Sequence, residues 1–215
     1  ALSTGEVRTA YVGGVVPDNW YEPVAQPGRL RRALYEKGMI RIDKALTDNF
    51  RLVIKDPALF SACGEFLSPH FRVIAMVRHP LTVLAAWQTV EMPAQRGRIY
   101  IAERFHPHLT SIMEAEQDRL DQQVLLVEWL FASYARLPAE DIIRYEDLIA
   151  SPAETLSRLT PHVGQLRRAL HSIDPATRYP GVDLAEIAAR LVPKAASFEP
   201  FYPDFLASLK PWRTA

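Results

Sequence analysis

Two basic residues occupy equivalent places in the sequence, each directly after an apolar run. Lys55 follows RLVI at 51–54, and Arg78 follows FRVIAMV at 71–77. In both cases a proline comes two positions later and opens a stretch of helical character. The carboxyl ends of parallel strands meet at one edge of a sheet, beside helix N-termini. An ammonium and a guanidinium group at that edge suit phosphate or sulfate, so the pattern predicts an oxyanion site.

A second interpretation of the same pattern is structural. A lysine or arginine after a strand is common at protein surfaces, where it forms an ion pair with a carboxylate. Asp56 and Glu146 are carboxylates that would pair with the two cations in that case. The pattern by itself leaves both interpretations open.

The elements that would position these cations are short apolar strands alternating with helices. Strands are predicted at 9–16, 51–54, 71–77 and 141–145, and helices at 28–46, 57–67, 80–90, 109–136, from Ser151 with capping-box spacing, 164–172 and 183–192. The tail from 193 has four prolines and is predicted to be irregular. This order of elements indicates an α/β fold with a parallel sheet flanked by helices.

Composition excludes several classes of protein. The 215 residues include 25 Lys and Arg and 25 Asp and Glu, so the net charge is zero and no extended nucleic-acid surface is expected. The single cysteine, Cys63, cannot form an internal disulfide. No run approaches the roughly 18–20 apolar residues of a membrane span, and no signal peptide is visible. We therefore expect a cytoplasmic protein with no membrane and no nucleic-acid partner.

Two motifs resemble the PAPS-dependent sulfotransferases, in particular the soluble bacterial ones. They are VRHPLTVLAAW at 77–87 and IIRYEDLIASPAETLSRL at 142–159, in the order and at a spacing similar to that family. The resemblance implies one domain over 1–215 with a P-loop-NTPase-like sulfotransferase fold. It also implies transfer of a sulfuryl group from PAPS (3′-phosphoadenosine 5′-phosphosulfate) to a hydroxyl or amine of a small-molecule acceptor, without a metal.

The resemblance assigns roles to residues that match the motifs. Arg78 corresponds to the arginine that holds the 3′-phosphate of the donor. Tyr145 corresponds to the aromatic residue next to the adenine. Lys55, in IKDP, corresponds to the lysine that approaches the transferring sulfuryl group or the bridging oxygen.

The family serine on the helix after the arginine is missing from this chain. The position eight residues after Arg78 is Ala86, so one hydroxyl bond to the 3′-phosphate is lost. A hydrogen bond to a charged group accounts for about ten- to hundredfold in affinity. Donor affinity is expected to fall by that factor unless Thr82 or Thr89 compensates.

The phosphate-binding loop that begins these enzymes is also not evident. The glycine pair Gly13-Gly14 in YVGGVV lacks the basic and hydroxyl residues that would follow it in such a loop. The resemblance therefore implies a domain that is incomplete at its N-terminus. The first strand and loop would be supplied by another polypeptide, lie outside this chain, or be lost from a degenerate homologue.

Sulfuryl transfer requires a base to accept the proton of the acceptor hydroxyl. Glu22, in NWYEP, resembles the upstream catalytic glutamate of some sulfotransferases and is the first candidate, with a solvated loop carboxylate as the alternative. His79 adjoins Arg78 and is the second candidate, if its side chain points into the cleft. Asp56 more naturally caps the helix that opens at Pro57.

Other functions are alternatives to sulfuryl transfer. A truncated or degenerate relative would bind a nucleotide, or another molecule, without catalysis. A P-loop kinase would need a Walker-type loop and a magnesium carboxylate, and neither is visible. The pair His106 and His108 near Glu103 suggests a metal only superficially, because no third ligand follows at regular spacing.

Overall fold

The computed structural model describes residues 6–16, 20–41, 53–161, 163 and 169–213. Within these ranges the strands are β1 (Glu6–Tyr11), β2 (Glu36–Arg41), β3 (Ala75–Val77) and β4 (Ile142–Arg144). The helices are α1 (Pro57–Ala62), α2 (Gly64–Leu67), α3 (Pro80–Trp87), α4 (Tyr100–Phe105), α5 (Pro107–Ala115), α6 (Arg119–Tyr134), α7 (Tyr145–Ala150), α8 (Pro152–Ser157), α9 (Pro175–Arg178), α10 (Leu184–Leu191), α11 (Ala195–Phe198) and α12 (Phe205–Arg213). None of these helices has both the length and the apolar composition required to cross a bilayer.

A two-stranded parallel sheet, formed by β3 and β4, confirms the α/β class. The register sets Val77 opposite Arg144, so the two strands end side by side. Helix α3 begins just after β3, as Pro80 predicted. Helix α7 begins at Tyr145, directly after β4, where the sequence had predicted the last residue of a strand and no helix before Ser151. The predicted strands at 71–77 and 141–145 are therefore confirmed in position, although each contains three residues.

The N-terminal region contains a pair of antiparallel strands, β1 and β2. The helix predicted at 28–46 is therefore wrong where the structure describes it. All six residues of β2 pair with β1. A Cβ atom on Gly38 would lie 3.0 Å from the ring of Tyr11, which explains why this strand carries a glycine. Cross-strand pairing has overridden a weak helical pattern here. Residues 42–50 lie outside the described ranges.

The strand predicted at 9–16 is confirmed as far as Tyr11. Gly13 and Gly14 then adopt positive φ angles of 56° and 80°. Val12 and Val15 exchange backbone hydrogen bonds of 2.8 and 3.1 Å around them, which makes a tight turn. Residues with a side chain rarely adopt such φ angles, so glycine is suited to both positions of this turn.

The strand predicted at 51–54 is wrong for its described half. Val53 and Ile54 are 88% and 64% exposed and belong to no strand, and residues 51–52 are outside the described ranges. A short apolar run specifies a strand only where a neighbouring strand pairs with it, and none of the described strands does so. The helix predicted at 57–67 is confirmed as α1 and α2, and Asp56 caps α1 through a 3.0 Å bond from the Leu59 N–H.

The main core lies where α3 and α6 meet the C-terminal helices, so the prediction of an irregular tail is wrong. The side chains of Phe198, Phe205 and Leu209 are fully buried. They pack with Leu84 of α3 and Leu191 of α10 in one cluster. Apolar side chains at helical spacing in LAEIAARL and FLASLK account for this burial, and the prolines lie between or near the ends of the helices.

The long helix predicted at 109–136 is divided into α5 and α6. Asp118 ends the connection between them by accepting hydrogen bonds of 2.9 and 3.0 Å from the Leu120 and Asp121 N–H groups. An aspartate in this position satisfies otherwise unpaired amides and starts a new helix. A second apolar cluster fills the space between α4, α5 and α6, and its buried members are Ile99, Ala102, Leu109, Met113 and Leu126.

The remaining helix predictions have mixed outcomes. Helix α8 starts directly after Ser151, but the Ser151 side chain makes no capping hydrogen bond, so the predicted capping box is not formed. The helix predicted at 183–192 is confirmed as α10, which Asp183 caps. Residues 169–172 of the helix predicted at 164–172 have no regular structure, and 164–168 are outside the described ranges.

We expect Gly97→Ala to lower the free energy of unfolding by about 2 kcal/mol. Gly97 has φ 72°, and a Cβ atom there would lie 2.6 Å from the Cβ of Gln122. Displacing Gln122 would break its bonds to the Met113 and Glu116 carbonyl oxygens. Urea unfolding measures the change. Gly64→Ala is the control, because a Cβ there meets nothing within 4 Å, and equal losses in both variants would contradict the prediction.

Candidate functional site

Arg78 and Tyr145 come together at the carboxyl edge of the parallel pair. Each directly follows a strand, and those strands end in register. The Arg78 guanidinium carbon lies 4.6 Å from the centre of the Tyr145 ring, which is a cation–π contact. The Arg78 Nη1 is also 3.5 Å from the hydroxyl oxygen of buried Tyr179, at the limit of a hydrogen bond. The ring and the hydroxyl hold the guanidinium in place without neutralising it.

The charge of Arg78 is not neutralised by the acidic residues that follow Tyr145. Glu146 accepts hydrogen bonds from the His79 backbone N–H at 3.0 Å and the Tyr202 hydroxyl at 2.9 Å. Asp147 lies 3.7 Å from Arg144. Among the described residues, no carboxylate oxygen is within 4.0 Å of the Arg78 guanidinium. Arg78 therefore remains available to an anion.

Arg31 is a second cation of interest, held beside Thr89 just beyond the end of α3, and no motif in the sequence pointed to it. Only 8% of its surface is exposed. Its Nη2 donates to Thr89 Oγ1 at 3.1 Å, while its buried Nε has no partner among the described residues. Burial lowers the pKa of Arg31, the nearby Arg178 lowers it further, and Tyr179 opposes both. Tyr179 thus lies near two arginines.

One signal in the sequence could have drawn attention to Arg31. Three arginines occur within PGRLRR at 27–32, a dense basic cluster for a chain of zero net charge. That cluster does not distinguish its members, however. Only the fold shows that Arg31 is buried while Arg29 and Arg32 stay exposed.

Ala86 lies near the end of α3, and the two threonines proposed to compensate for it differ in environment. Thr89 is buried, and its hydroxyl donates to the Ala86 carbonyl oxygen at 2.8 Å while accepting from Arg31. Its hydroxyl is therefore already engaged. Thr82 is buried in the first turn of α3. The structure thus gives Thr89 a role in holding Arg31 and offers no exposed hydroxyl in place of the family serine at these positions.

Lys55 is not positioned by a strand, contrary to the sequence analysis. Its side chain is exposed, and it lies in irregular chain before α1. Among the described residues, no carboxylate pairs with it. The ammonium group is therefore unpaired within the described part of the chain, but no sheet edge brings it to Arg78.

Glu22 is held inside its loop rather than standing free in solvent. Its Oε1 lies 2.5 Å from Arg29 Nη2, and its Oε2 accepts from the Arg32 backbone N–H at 3.1 Å. Its backbone carbonyl accepts from Arg31 at 3.3 Å. Glu22, Arg29 and Arg31 line a cavity of about 330 Å³ together with Leu34. The carboxylate has further lone pairs, so it can accept a proton once the Arg29 contact opens.

His79 points into the core rather than into a cleft. Its ring stacks on Phe205 and meets the edge of Tyr202, with ring centres 5.2 Å apart in both cases. Its Nε2 is 2.8 Å from Ser208 Oγ. Burial lowers the pKa of His79 to about 4, with Arg144 adding to that effect and Glu146 opposing it. A weakly basic, enclosed imidazole is poorly placed to accept a proton from an acceptor.

No family model, curated protein or solved structure matches this chain. The resemblance in the motifs therefore remains a prediction from the sequence. The geometry contributes an arginine without a carboxylate partner, stacked on a tyrosine, at the end of a parallel strand pair and beside the N-terminus of α3. Each of these features favours the binding of an oxyanion.

His106, which the sequence suggested only superficially as a metal ligand, and Arg98 both have structural roles. The His106 Nε2 donates a 2.7 Å hydrogen bond to the Ala62 carbonyl oxygen, and the ring packs against Trp129. The described residues contain no cluster of three or more metal-ligating side chains. Since a carbonyl oxygen only accepts, the His106 Nε2 carries the proton. Arg98 is engaged by the buried carboxylate of Glu103 through bonds of 3.0 and 2.9 Å. It is therefore not a free cation for a ligand.

Proposed function

We propose that this chain is a PAPS-dependent sulfotransferase with the P-loop-NTPase-like fold of that family. The observation that supports it is the stacked pair Arg78 and Tyr145, at the strand ends where the motifs predicted a nucleotide. In this proposal Arg78 holds the 3′-phosphate of PAPS, and the adenine lies against Tyr145 on the side away from Arg78. The short helix α3 adds the positive end of its dipole to this site.

The reaction moves a sulfuryl group to a hydroxyl or amine of a small molecule. A bond forms between the acceptor atom and sulfur, the bond from sulfur to the 5′-phosphate oxygen breaks, and a base takes the acceptor proton. Glu22 is the stronger candidate for the base, because its carboxylate lies at a cavity while His79 is enclosed. Lys55 is the cation that would stabilise charge on the leaving phosphate, since its ammonium is exposed and has no carboxylate partner among the described residues.

The alternative is a domain of this fold that binds a nucleotide without catalysis. Two observations favour it. Lys55 is not carried to the sheet edge by a strand, and Ala86 replaces a hydroxyl residue. The position of Lys55 weakens the case for catalysis, and the loss of the hydroxyl at Ala86 weakens donor binding. Neither changes the contact between Arg78 and Tyr145. The two functions therefore share one binding site and differ in turnover.

Calorimetric titration with adenosine 3′,5′-bisphosphate tests the shared site. We expect binding that weakens about ten- to hundredfold in Arg78→Ala, because a charge-assisted hydrogen bond to phosphate is lost. Arg96→Ala is the control, since Arg96 is exposed and lies 3.7 Å from Glu91. The affinity for adenosine 5′-monophosphate, which lacks the 3′-phosphate, should not change in Arg78→Ala. Equal affinity of the wild type and Arg78→Ala for the bisphosphate would overturn the proposal.

Turnover then separates the enzyme from the binding module. PAPS is supplied with a panel of phenols and amines, and release of adenosine 3′,5′-bisphosphate is measured. A sulfotransferase shows acceptor-dependent release that is lost in Lys55→Ala while nucleotide affinity is kept. Nucleotide binding without any acceptor-dependent release identifies the non-catalytic module.

A further inference from the structure

A cavity of about 470 Å³ lies apart from Arg78, between the loop that carries Gln26 and the N-terminal ends of α6 and α10. Its volume falls within the range of small-molecule sites in proteins. Its lining is rich in amide and charged side chains, although the apolar core lies directly behind it. The polar lining is the feature that requires an explanation.

Gln95 is the most unusual residue of this lining. It is only 8% exposed, and its backbone carbonyl accepts a 2.6 Å bond from the Gln123 side-chain amide. The side-chain amide of Gln95 itself has no hydrogen-bond partner among the described residues. Its amide atoms are not among the side-chain atoms of the described residues that are both fully buried and unbonded, so they reach the open space of the cavity. The two donors and one acceptor of Gln95 are thus left for the cavity.

Gln88 continues the same network on the other side of Gln123. Its amide nitrogen donates to the Gln123 side-chain oxygen, and its own side-chain oxygen has no partner among the described residues. The buried Gln123 therefore holds two neighbours, Gln88 and Gln95, that both line the cavity. Between them they present donors and acceptors at fixed positions.

The rim of the cavity carries both signs of charge. Asp118 and Asp183 each use the Oδ1 oxygen to cap a helix, α6 and α10 respectively, and their Oδ2 oxygens are not needed for capping. Arg29 and Arg119 lie at the same rim. Mixed charges around a floor of neutral amides disfavour a ligand with a large net charge and suit hydroxyl groups, which both donate and accept.

We propose that this cavity binds a neutral polyhydroxylated molecule, a sugar or polyol, whose hydroxyl groups bond to the amides of Gln88 and Gln95 and to the carboxylates of Asp118 and Asp183. This site uses none of the residues assigned to the nucleotide. It stands whether or not the chain transfers sulfuryl groups.

Saturation-transfer difference NMR with the full chain tests the site, using glucose and myo-inositol as probes. We expect both to bind at millimolar concentration and to compete with each other, and we expect Gln95→Met to weaken them about tenfold or more. Methionine has nearly the length of glutamine but no amide. Gln117→Met is the matched control, because Gln117 is an exposed glutamine outside the cavity, and it should leave binding unchanged.

The melting temperature of Gln95→Met distinguishes a ligand-binding glutamine from a structural one. Loss of a structural amide would lower the melting temperature. Replacing an amide that makes no hydrogen bond with the described residues by an apolar side chain of similar length should leave the melting temperature unchanged or raise it by up to a few degrees. A clear fall in melting temperature, or failure to fold, would show that the amide has a structural partner and would overturn the proposal. It is also overturned if cyclohexanol binds as well as the polyols, if charged glucosamine or gluconate binds more tightly than glucose, or if no polyol binds.

Discussion

Acidification from about pH 6.5 to about pH 4 is expected to remove about 3 kcal/mol of the free energy of unfolding through His79 alone. Burial between Tyr202 and Phe205 lowers the pKa of His79 from its ordinary value of 6.5 to about 4. In this interval the unfolded state binds a proton that the folded state does not. The contribution of His79 is therefore complete above pH 6.5 and is lost as the pH falls through 4.

The groups around His79 explain why the folded protein resists its protonation. The Ser208 hydroxyl donates its proton to the Phe205 carbonyl at 2.5 Å, so it accepts from the His79 Nε2–H. A further proton would place a charge on a ring that packs against the Tyr202 and Phe205 rings. Arg144 opposes the added charge, and Glu146 favours it but also serves the His79 backbone and the Tyr202 hydroxyl. Burial is the larger effect and determines the sign.

The measurement is urea unfolding at several pH values for the wild type and for His79→Phe. Phenylalanine keeps the ring contacts and does not titrate, so subtracting its curve removes the contribution of all other groups. We expect the difference in unfolding free energy to change by about 3 kcal/mol between pH 7 and pH 4. His108→Gln, at an exposed histidine, is the control. Parallel curves for the wild type and His79→Phe would contradict the burial of His79.

Phe198→Ala is expected to lower the free energy of unfolding by about 3–5 kcal/mol. The ring has no exposed surface, and it meets Phe131 edge-on at 5.1 Å and Phe205 at 5.0 Å between ring centres. Removing it loses the transfer free energy of the ring and leaves a cavity where α6, α11 and α12 meet. The three helices also pack against other parts of the core, so their relaxation into the cavity is limited.

Urea unfolding at neutral pH measures this effect, with Phe66→Ala as the matched control. Phe66 is 74% exposed, so its replacement should change stability by no more than about 0.5 kcal/mol. A loss in Phe198→Ala as small as that in Phe66→Ala would show that the C-terminal segment is not part of the core. The same result would also contradict the burial of His79, which the segment covers.

Features that depend on neighbours within a few residues were predicted well. A proline in the first turn with Asp56 before it predicted α1, and the apolar runs before Arg78 and Tyr145 predicted the two strands that pair. Caps, turns and short apolar runs act through local hydrogen bonds and local burial, so their signals survive in the sequence. The juxtaposition of Arg78 and Tyr145 follows from two such local patterns and the parallel pairing rule.

Predictions failed where a distant partner determined the outcome. Lys55 was placed on a strand that has no neighbour among the described residues, and the segment from 28 was expected to be helical although it pairs with β1. From the sequence, His79 was a candidate base. In the structure its ring packs against α12, and it contacts Ser208, which lies 129 residues further along the chain. Local propensity is weak compared with the burial and pairing that such contacts provide.

The sequence by itself thus determined the α/β class, the starts of α1, α3, α8 and α10, and the pair of residues at one strand edge, because each depends on short-range patterns. Only the tertiary structure decided which charged and polar groups are buried. Arg31 is enclosed by a contact 58 residues away in the chain, and Gln95 is left with an unbonded amide at a cavity. Burial is a property of the whole packed chain, and it sets the charge state and availability of each side chain on which a function depends.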